Sequence, residues 1–477
     1  MSFLTSNLSL LISSRFFGYL LAFINTLIIA KYHSYELLGI YSFLLLIIGF
    51  SRFIFLGGPD LLLVEGSRIK SISSRLHLDY FFKSIVLSLI GTFSFFSISH
   101  IEYINQIFFK YSLNSELVAI SIYLFFKSIS ASLLSLERLK NKSIGLNFFY
   151  FLQYLVDFFV ILSSTSANLI DNLIISGIIV NLILMLIFIK SINLKSYLDS
   201  QDANYKKLKV LKFFKLSLKL SLANFSFYGI FLAIRSLASI NLDVEIFGLF
   251  AFGVMLAQAA HNLLSSVNTL IYPKCLKQVG LYIDNKEKAD IKRARRLSRY
   301  SFKLILLGWC LILTGILTSS YFINLDLLIL NIDLIVAYSF GTLLFDSIFM
   351  SSTLLQLKRK QFFQVLASLP VFLIIFMTYY FEPVFSKDMK FYLYSFFLFN
   401  LIYCIFLFFL VLISLKKYKF IFINNFIYLK GFFLTIILFT ISTFLPSEMK
   451  LLLFTLLIIY FGSNTYKKYD SINKIFL

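Results

Sequence analysis

The chain is short of charge. Only 14% of its 477 residues are Asp, Glu, Lys or Arg, while 59% are hydrophobic. A soluble chain would carry about 25% charged residues to solvate its surface. A soluble multidomain enzyme is therefore excluded, and so is a disordered chain, which needs low hydrophobicity. Proline (5) and glycine (18) are scarce, so long and largely unbroken helices are expected. The three cysteines, Cys275, Cys310 and Cys404, lie far apart in or beside apolar runs. They offer neither metal-ligand spacing nor a disulfide framework. The sequence holds no G-x-x-x-x-G-K-[ST] loop to cradle ATP phosphates and no G-x-S-x-G elbow for a serine nucleophile. It also has no voltage-sensor array of arginines and no potassium-channel filter.

What the chain has is apolar length. A membrane-crossing helix needs about 20 mostly apolar residues. Candidate spans are Leu8–Ala30, Glu36–Leu56, Tyr80–Ser99, Leu117–Leu136, Ile144–Ser163 and Leu169–Ile189. After a polar gap come Leu216–Ile240, Glu245–Tyr272, Phe302–Phe322, Ile332–Leu355, Phe362–Phe381 and Phe391–Leu415. Two shorter runs follow, Phe426–Leu445 and Met449–Gly462, the last short for a full crossing and readable as half of a partly inserted hairpin. The expectation is an all-α polytopic integral membrane protein of about 14 spans. The first span lacks a positive segment before it and is too long for a signal peptide, so it reads as retained.

Loop charges orient the spans. The net charge is +21, and cytoplasmic loops collect Lys and Arg. With the N-terminus inside, inner loops hold Arg68, Lys70, Arg75 and Lys83, then Arg138, Lys140 and Lys142. They also hold the stretches Lys190–Lys219 and Lys274–Lys303, Lys358 to Lys360, Lys416, Lys417, Lys419 and Lys430, and the tail lysines 467, 468 and 474. Outer loops hold only Lys31, Lys110, Lys387, Lys390 and Lys450. Both termini are expected on the cytoplasmic side of a cell membrane. No basic polar domain exists for nucleic acid to bind. The stretch NKEKADIKRARRLSRY, 285–300, reads as a basic interfacial helix touching lipid, with phosphate-headgroup recognition as the sharper alternative.

The sequence also repeats itself. ELLGIYSF, Glu36–Phe43, opens the second span, and EIFGLFAF, Glu245–Phe252, opens the eighth. Acid, glycine and final Phe match at the same offsets. An even number of spans separates the copies, so two lobes of like orientation are expected, of the kind that encloses a central cavity. The lobes read as 1–190 and 216–415, with a basic linker at 191–215 and an extra helix pair and tail at 416–477.

Ionisable residues inside spans are costly and mark function by default. Arg15 shares a face with Gly18, Ala22 and Asn25, a small and polar stripe that suits a cavity wall; local pairing or snorkelling is the plain alternative. Lys127 sits mid-span beside Tyr123 and Ser130, too deep to snorkel easily. Arg235 shares a face with Ser217, Ser221, Asn224 and Tyr228, and snorkelling to the outer interface explains it as well. Arg52 lies near an inner span end, where snorkelling is favoured. The eighth span aligns Gly253, Ala257, His261, Ser265 and Asn268, with Gln258 and Asn262 beside them. Asp157 follows Tyr150 and Tyr154 on one face; Asp346 shares a face with Ser339, Thr342 and Thr353. Each acid either neutralises an intramembrane cation or takes a coupling proton or sodium ion. Four cations against two acids favour an anionic cargo, with phosphate the natural group for arginine. No metal or organic cofactor is called for.

The segments Ile28–Phe43, Phe55–Arg68 (FLGGPDLLLVEGSR), Ser135–Phe149 (SLERLKNKSIGLNFF) and Val244–Phe252 carry a resemblance. The chain resembles the Wzx-type polysaccharide-repeat-unit flippases of the multidrug/oligosaccharidyl-lipid/polysaccharide (MOP) exporter superfamily, up to about Leu415. That resemblance implies a V-shaped pair of six-helix lobes in the bacterial inner membrane. It implies alternating access by a cationic cavity, without ATP, to an undecaprenyl-pyrophosphate-linked oligosaccharide. It implies membrane lipids, a polysaccharide polymerase and a chain-length regulator as partners. Arg15, Lys127 and Arg235 match its pattern of cavity cations, whereas His261 stands where Arg or Lys is usual. The rival readings are a polysaccharide polymerase, which is an enzyme and needs a large outer loop, a multidrug exporter, and a peptidoglycan-precursor flippase.

Overall fold

The structure, a computed structural model, describes residues 17–66, 75–139, 144–191, 209–285, 288–323, 326–347, 355, 360, 362–381, 389–414 and 426–466. Among the described residues the regular structure is helical throughout. Helix α1 covers 17–28 and closes in a π turn, Ile29–His33. The next helices are α2 (Tyr35–Gly49), α3 (Ser51–Ile54), α4 (Gly58–Gly66), α5 (Arg75–Ser99), α6 (Glu102–Lys110) and α7 (Leu117–Leu139). Then come α8 (Ile144–Ser163), α9 (Leu169–Ser191), α10 (Val210–Asn241), α11 (Val244–Asn285) and α12 (Lys288–Ile323). The last are α13 (Asp326–Ser347), α14 (Phe362–Phe381), α15 (Met389–Ser414), α16 (Phe426–Phe444) and α17 (Ser447–Tyr466). Among the described residues six helices are long and apolar enough to cross a membrane by length and composition, and α10, bent between Ser226 and Tyr228, makes a seventh.

The chain divides into two compact units, Met1–Gly248 and Leu249–Leu477. In the first, α5, α7 and α9 pack side by side, α8 leans on α9, and α4 sits against α5, α7 and α10. Its core is aliphatic and aromatic, with Leu62, Leu133, Leu184 and Phe213 all nearly inaccessible. Serines let these helices approach: Ser84 and Ser132 share a 2.9 Å hydrogen bond across α5 and α7. Small hydroxyl residues allow such packing without leaving a buried polar group unpaired.

The start of α2 is fixed by Ser34, whose hydroxyl accepts from the Leu37 amide at 3.0 Å, with Glu36 in the first turn facing the positive end of the helix. Its continuation ends in a turn at Leu56 and Gly57, both with positive φ (50° and 69°). Gly57 is required there, since a Cβ would meet the Ser217 carbonyl oxygen and the Ser221 side chain. The Ser217 hydroxyl in turn donates to the Leu56 carbonyl. Pro59 stands in the first turn of α4, where its missing N–H costs nothing.

In the second unit α13 packs on α15, α14 on α15, and α12 on α13. The closing helices belong to this unit: α16 lies on α13 and α17 on α12. Phe397 and Phe439 stack with centroids 3.7 Å apart, and Phe340 meets Phe439 edge-on. A Lys450–Asp333 ion pair joins the start of α17 to α13. Helix α17 runs 20 residues, about 30 Å at helical rise, longer than its apolar run alone suggests.

Segments assigned to one side by loop charge meet one another. His33 Nδ1 lies 2.9 Å from Ser166 Oγ, and Lys110 reaches the 239–242 backbone. At the opposite end of the first unit, Ser217 meets Leu56 and Tyr80 packs on Phe213.

Candidate functional site

Helices α1, α2, α7 and α8 enclose a polar cluster inside the first unit. Asp157, half-buried on α8, accepts from the Gln153 amide one turn earlier at 3.1 Å. It lies within electrostatic reach of Lys127 and Tyr123 on α7 and of Tyr41 on α2. Lys127 holds its ammonium over the Tyr123 ring, 5.5 Å from the centroid. Tyr41 and Tyr123 are each 5% exposed. On α1, Asn25 is fully buried and donates to the Tyr154 carbonyl at 3.3 Å, while its own Oδ1 is without a partner. Tyr19 packs against Tyr154 in the same place. The periodicity of α7 creates this arrangement, because Tyr123 and Lys127 stand four apart and share a face. On α8, Gln153 and Asp157 do the same.

Chemically the cluster pairs a cation with a carboxylate among phenols and amides in a setting of low dielectric. It offers Lys, Tyr and Asn donors to an anion, and Asp and Asn oxygens to a proton or a hard cation. Among the described residues no group of three or more His, Cys, Asp or Glu has metal-binding geometry.

Arg235, on α10, is 4% exposed and reaches the Ser42 carbonyl through Nη2 at 3.5 Å. Ser42 follows Tyr41, so this arginine abuts the α2 backbone beside the cluster. Asn224, also on α10, donates to Asp60 Oδ2 at 2.9 Å. Asp60 is a carboxylate that the span reading missed. It lies beyond the Leu56–Gly57 turn, after the second apolar run ends.

No family model matches the chain. No curated protein matches it in sequence. Solved structures do. A lipid II flippase, MurJ, in an inward closed conformation superposes with a TM-score of 0.63 at 16% identity, covering 96% of this chain and 98% of that one. An inward-facing multidrug MATE transporter of the MOP superfamily matches with a TM-score of 0.53 at 14% identity, over 83% of this chain and 99% of its own. A MOP superfamily transporter from Pyrococcus furiosus, described as having a binding pocket of reversed polarity, matches with 0.53 at 12%, over 87% and 96%. The chain has the MOP fold. The all-α polytopic architecture expected from the apolar runs is thereby established. At these identities the likeness is one of fold.

The other expected site residues fall in several places. Arg15 lies outside the described residues, and the side chain of Arg52, on α3, does too. In the second unit Gly253 packs α11 directly on α13: a Cβ there would crowd Asn331 and Leu334. The N-terminal part of that polar stripe is therefore a helix contact. Farther along, Gln258, His261, Asn262 and Ser265 are half-buried, and His261 Nδ1 is without a partner. Asp346 is 6% exposed and faces Cys404 on α15. Ser339 and Thr342 on its helix donate to their own backbone, to Val336 and Ser339 carbonyls at 2.8 Å. Of the expected residues, the structure brings together Lys127, Asp157 and Asn25.

Proposed function

We propose that the chain is a flippase that moves undecaprenyl-pyrophosphate-linked oligosaccharide repeat units from the cytoplasmic to the periplasmic leaflet by alternating access. It works in a bacterial inner membrane, with both termini cytoplasmic, and performs no bond chemistry. The observation that carries the reading is the Lys127–Asp157–Tyr123 cluster inside a MOP fold. A cation held among donors within apolar helices suits a phosphate headgroup. Asp157 balances that cation and is the residue for a coupling proton or sodium ion. Intramembrane cations exceed acids among the expected site residues, which argues against the cationic cargoes of multidrug exporters. The pathway's polymerase and chain-length regulator are its expected neighbours.

A second reading is favoured by a specific observation: the MurJ superposition, 0.63, exceeds those to MATE transporters, 0.51 to 0.53. The cargo would then be lipid II itself. One experiment separates the readings. In a deletion strain, lipid-linked intermediates are extracted and assigned to the inner or outer face of the membrane. Single repeat units trapped on the cytoplasmic face, without polymer outside, support the repeat-unit flippase. Accumulated lipid II supports the second reading. Repeat units that reach the outside unpolymerised would overturn both in favour of a polymerase.

A further inference from the structure

One end of the first unit is held by a lysine. Lys110 closes α6, and its Nζ donates to the carbonyls of Ser239 at 3.0 Å, Ile240 at 2.9 Å and Leu242 at 2.6 Å. Ser239 and Ile240 lie in the last turn of α10, and Leu242 is the residue that caps it. A helix leaves its last carbonyls without intrahelical donors, and they form the negative end of its dipole. An ammonium has three N–H donors, and all three are used here. Tyr111 adds a second tie. It is fully buried, donates to the Ser239 carbonyl at 2.7 Å, stacks on Phe43 of α2 at 4.1 Å and meets Phe247 of α11 edge-on at 5.7 Å. Beside them Gly39 and Gly248 bring α2 and α11 into backbone contact.

We propose that Lys110 is a latch: seated in the carbonyls that end α10, it holds this end of α2, α10 and α11 shut, and it withdraws when that end opens. The inference rests on the alternating-access reading, in which this end faces outward. The contact suits reversibility. Water can replace the carbonyls around a released ammonium and the ammonium at the released carbonyls, so neither side is stranded. The ties to Phe43, Phe247 and Ser239 come from one short segment, so moving the α6 end releases them together.

The test uses the full chain in lipid nanodiscs, with Cys275, Cys310 and Cys404 replaced by alanine and Val244→Cys as reporter. A membrane-impermeant maleimide reads exposure of the α2–α11 seam, and amide hydrogen exchange reads the peptide 236–245. Lys110→Met is expected to raise labelling about tenfold, as the loss of one charge-assisted hydrogen-bond set would, and to speed exchange in that peptide. Lys110→Arg, which keeps the charge but replaces the compact ammonium by a planar fork, falls between. Should Lys110→Met fail to insert, Lys110→Arg and Tyr111→Phe give the same two readouts. Parent-like labelling and exchange in these variants would overturn the latch and leave Lys110 as a plain helix cap. Neither readout needs cargo: a seam that opens in Lys110→Met, in a chain that moves no lipid-linked oligosaccharide, keeps the latch and removes the flippase reading.

Discussion

Gly39 and Gly248 lie against each other where α2 crosses α11. A Cβ on Gly248 would stand 2.9 Å from the Gly39 amide nitrogen and would collide with the Tyr35 carbonyl oxygen. A Cβ on Gly39 would collide in turn with the Val244 carbonyl. These are the matched glycines of the two repeat copies, so the repeat meets itself.

Substitution at either glycine pushes on backbone, which cannot yield as a side-chain tip does. Gly248→Ala is expected to cost about 1–3 kcal/mol, the range for overpacking, and Gly248→Leu to prevent the crossing. Gly315 is the control, with nothing within 4 Å of its would-be Cβ; Gly315→Ala should be neutral or stabilising by about 0.5–1 kcal/mol. Thermal melting of the purified variants checks both. Equal melting of Gly248→Ala and the parent would refute the close crossing.

Lys127 and Asp157 should behave as a coupled pair. Asp157→Asn leaves a cation facing phenols without its counter-charge, and Lys127→Met leaves an acid in the same position. Each single variant is expected to destabilise more than the double, with a coupling energy of about 0.5–3 kcal/mol. A double-mutant cycle measured by denaturation decides. Additive effects would mean that the two charges do not sense each other.

The helices were legible in the sequence as long apolar runs, and Gly39 and Gly248 as the shared glycine of two matching stretches. The turn at Leu56 and Gly57 falls where the second apolar run, Glu36–Leu56, was expected to end. The cluster partners were legible only in part. Lys127 and Asp157 stood out as charges in apolar runs, but that they share a neighbourhood depends on how α7 and α8 pack, which no local pattern encodes. Asp60 was hidden because it follows the turn, beyond the end of the apolar run. Lys110 read as an ordinary loop charge. Its partners are backbone carbonyls, which have no side-chain signature at all.

The Lys450–Asp333 pair is asymmetric. The lysine side chain is 8% exposed and the aspartate side chain 59%. Removing the aspartate strands a buried ammonium, while removing the lysine returns an exposed carboxylate to water. Asp333→Ala should therefore destabilise the second unit by more than Lys450→Met, which should cost no more than about 1 kcal/mol in lost pairing. Trp309, the single tryptophan, is buried in that unit, so its fluorescence during unfolding measures the difference. A larger effect from Lys450→Met would reverse the argument.

Tyr111→Phe removes one hydrogen bond and keeps the ring that stacks on Phe43. A loss of about 1 kcal/mol is expected, against about 3–5 kcal/mol for Tyr111→Ala, which also empties a buried aromatic site. Similar losses in the two variants would place the weight on the hydroxyl.

The ties that complete the first unit have a bearing on the order of synthesis. Lys110 finds its carbonyls at 239–242, and Gly39 finds Gly248, so every one of these partners exists once the ribosome has passed residue 248. Domains of a growing chain fold from the N-terminus as they emerge. The first unit can therefore finish while the second is still being translated. The second cannot: Asp333 waits 117 residues for Lys450, and the face of α12 that α17 covers stays open until α17 is delivered to it.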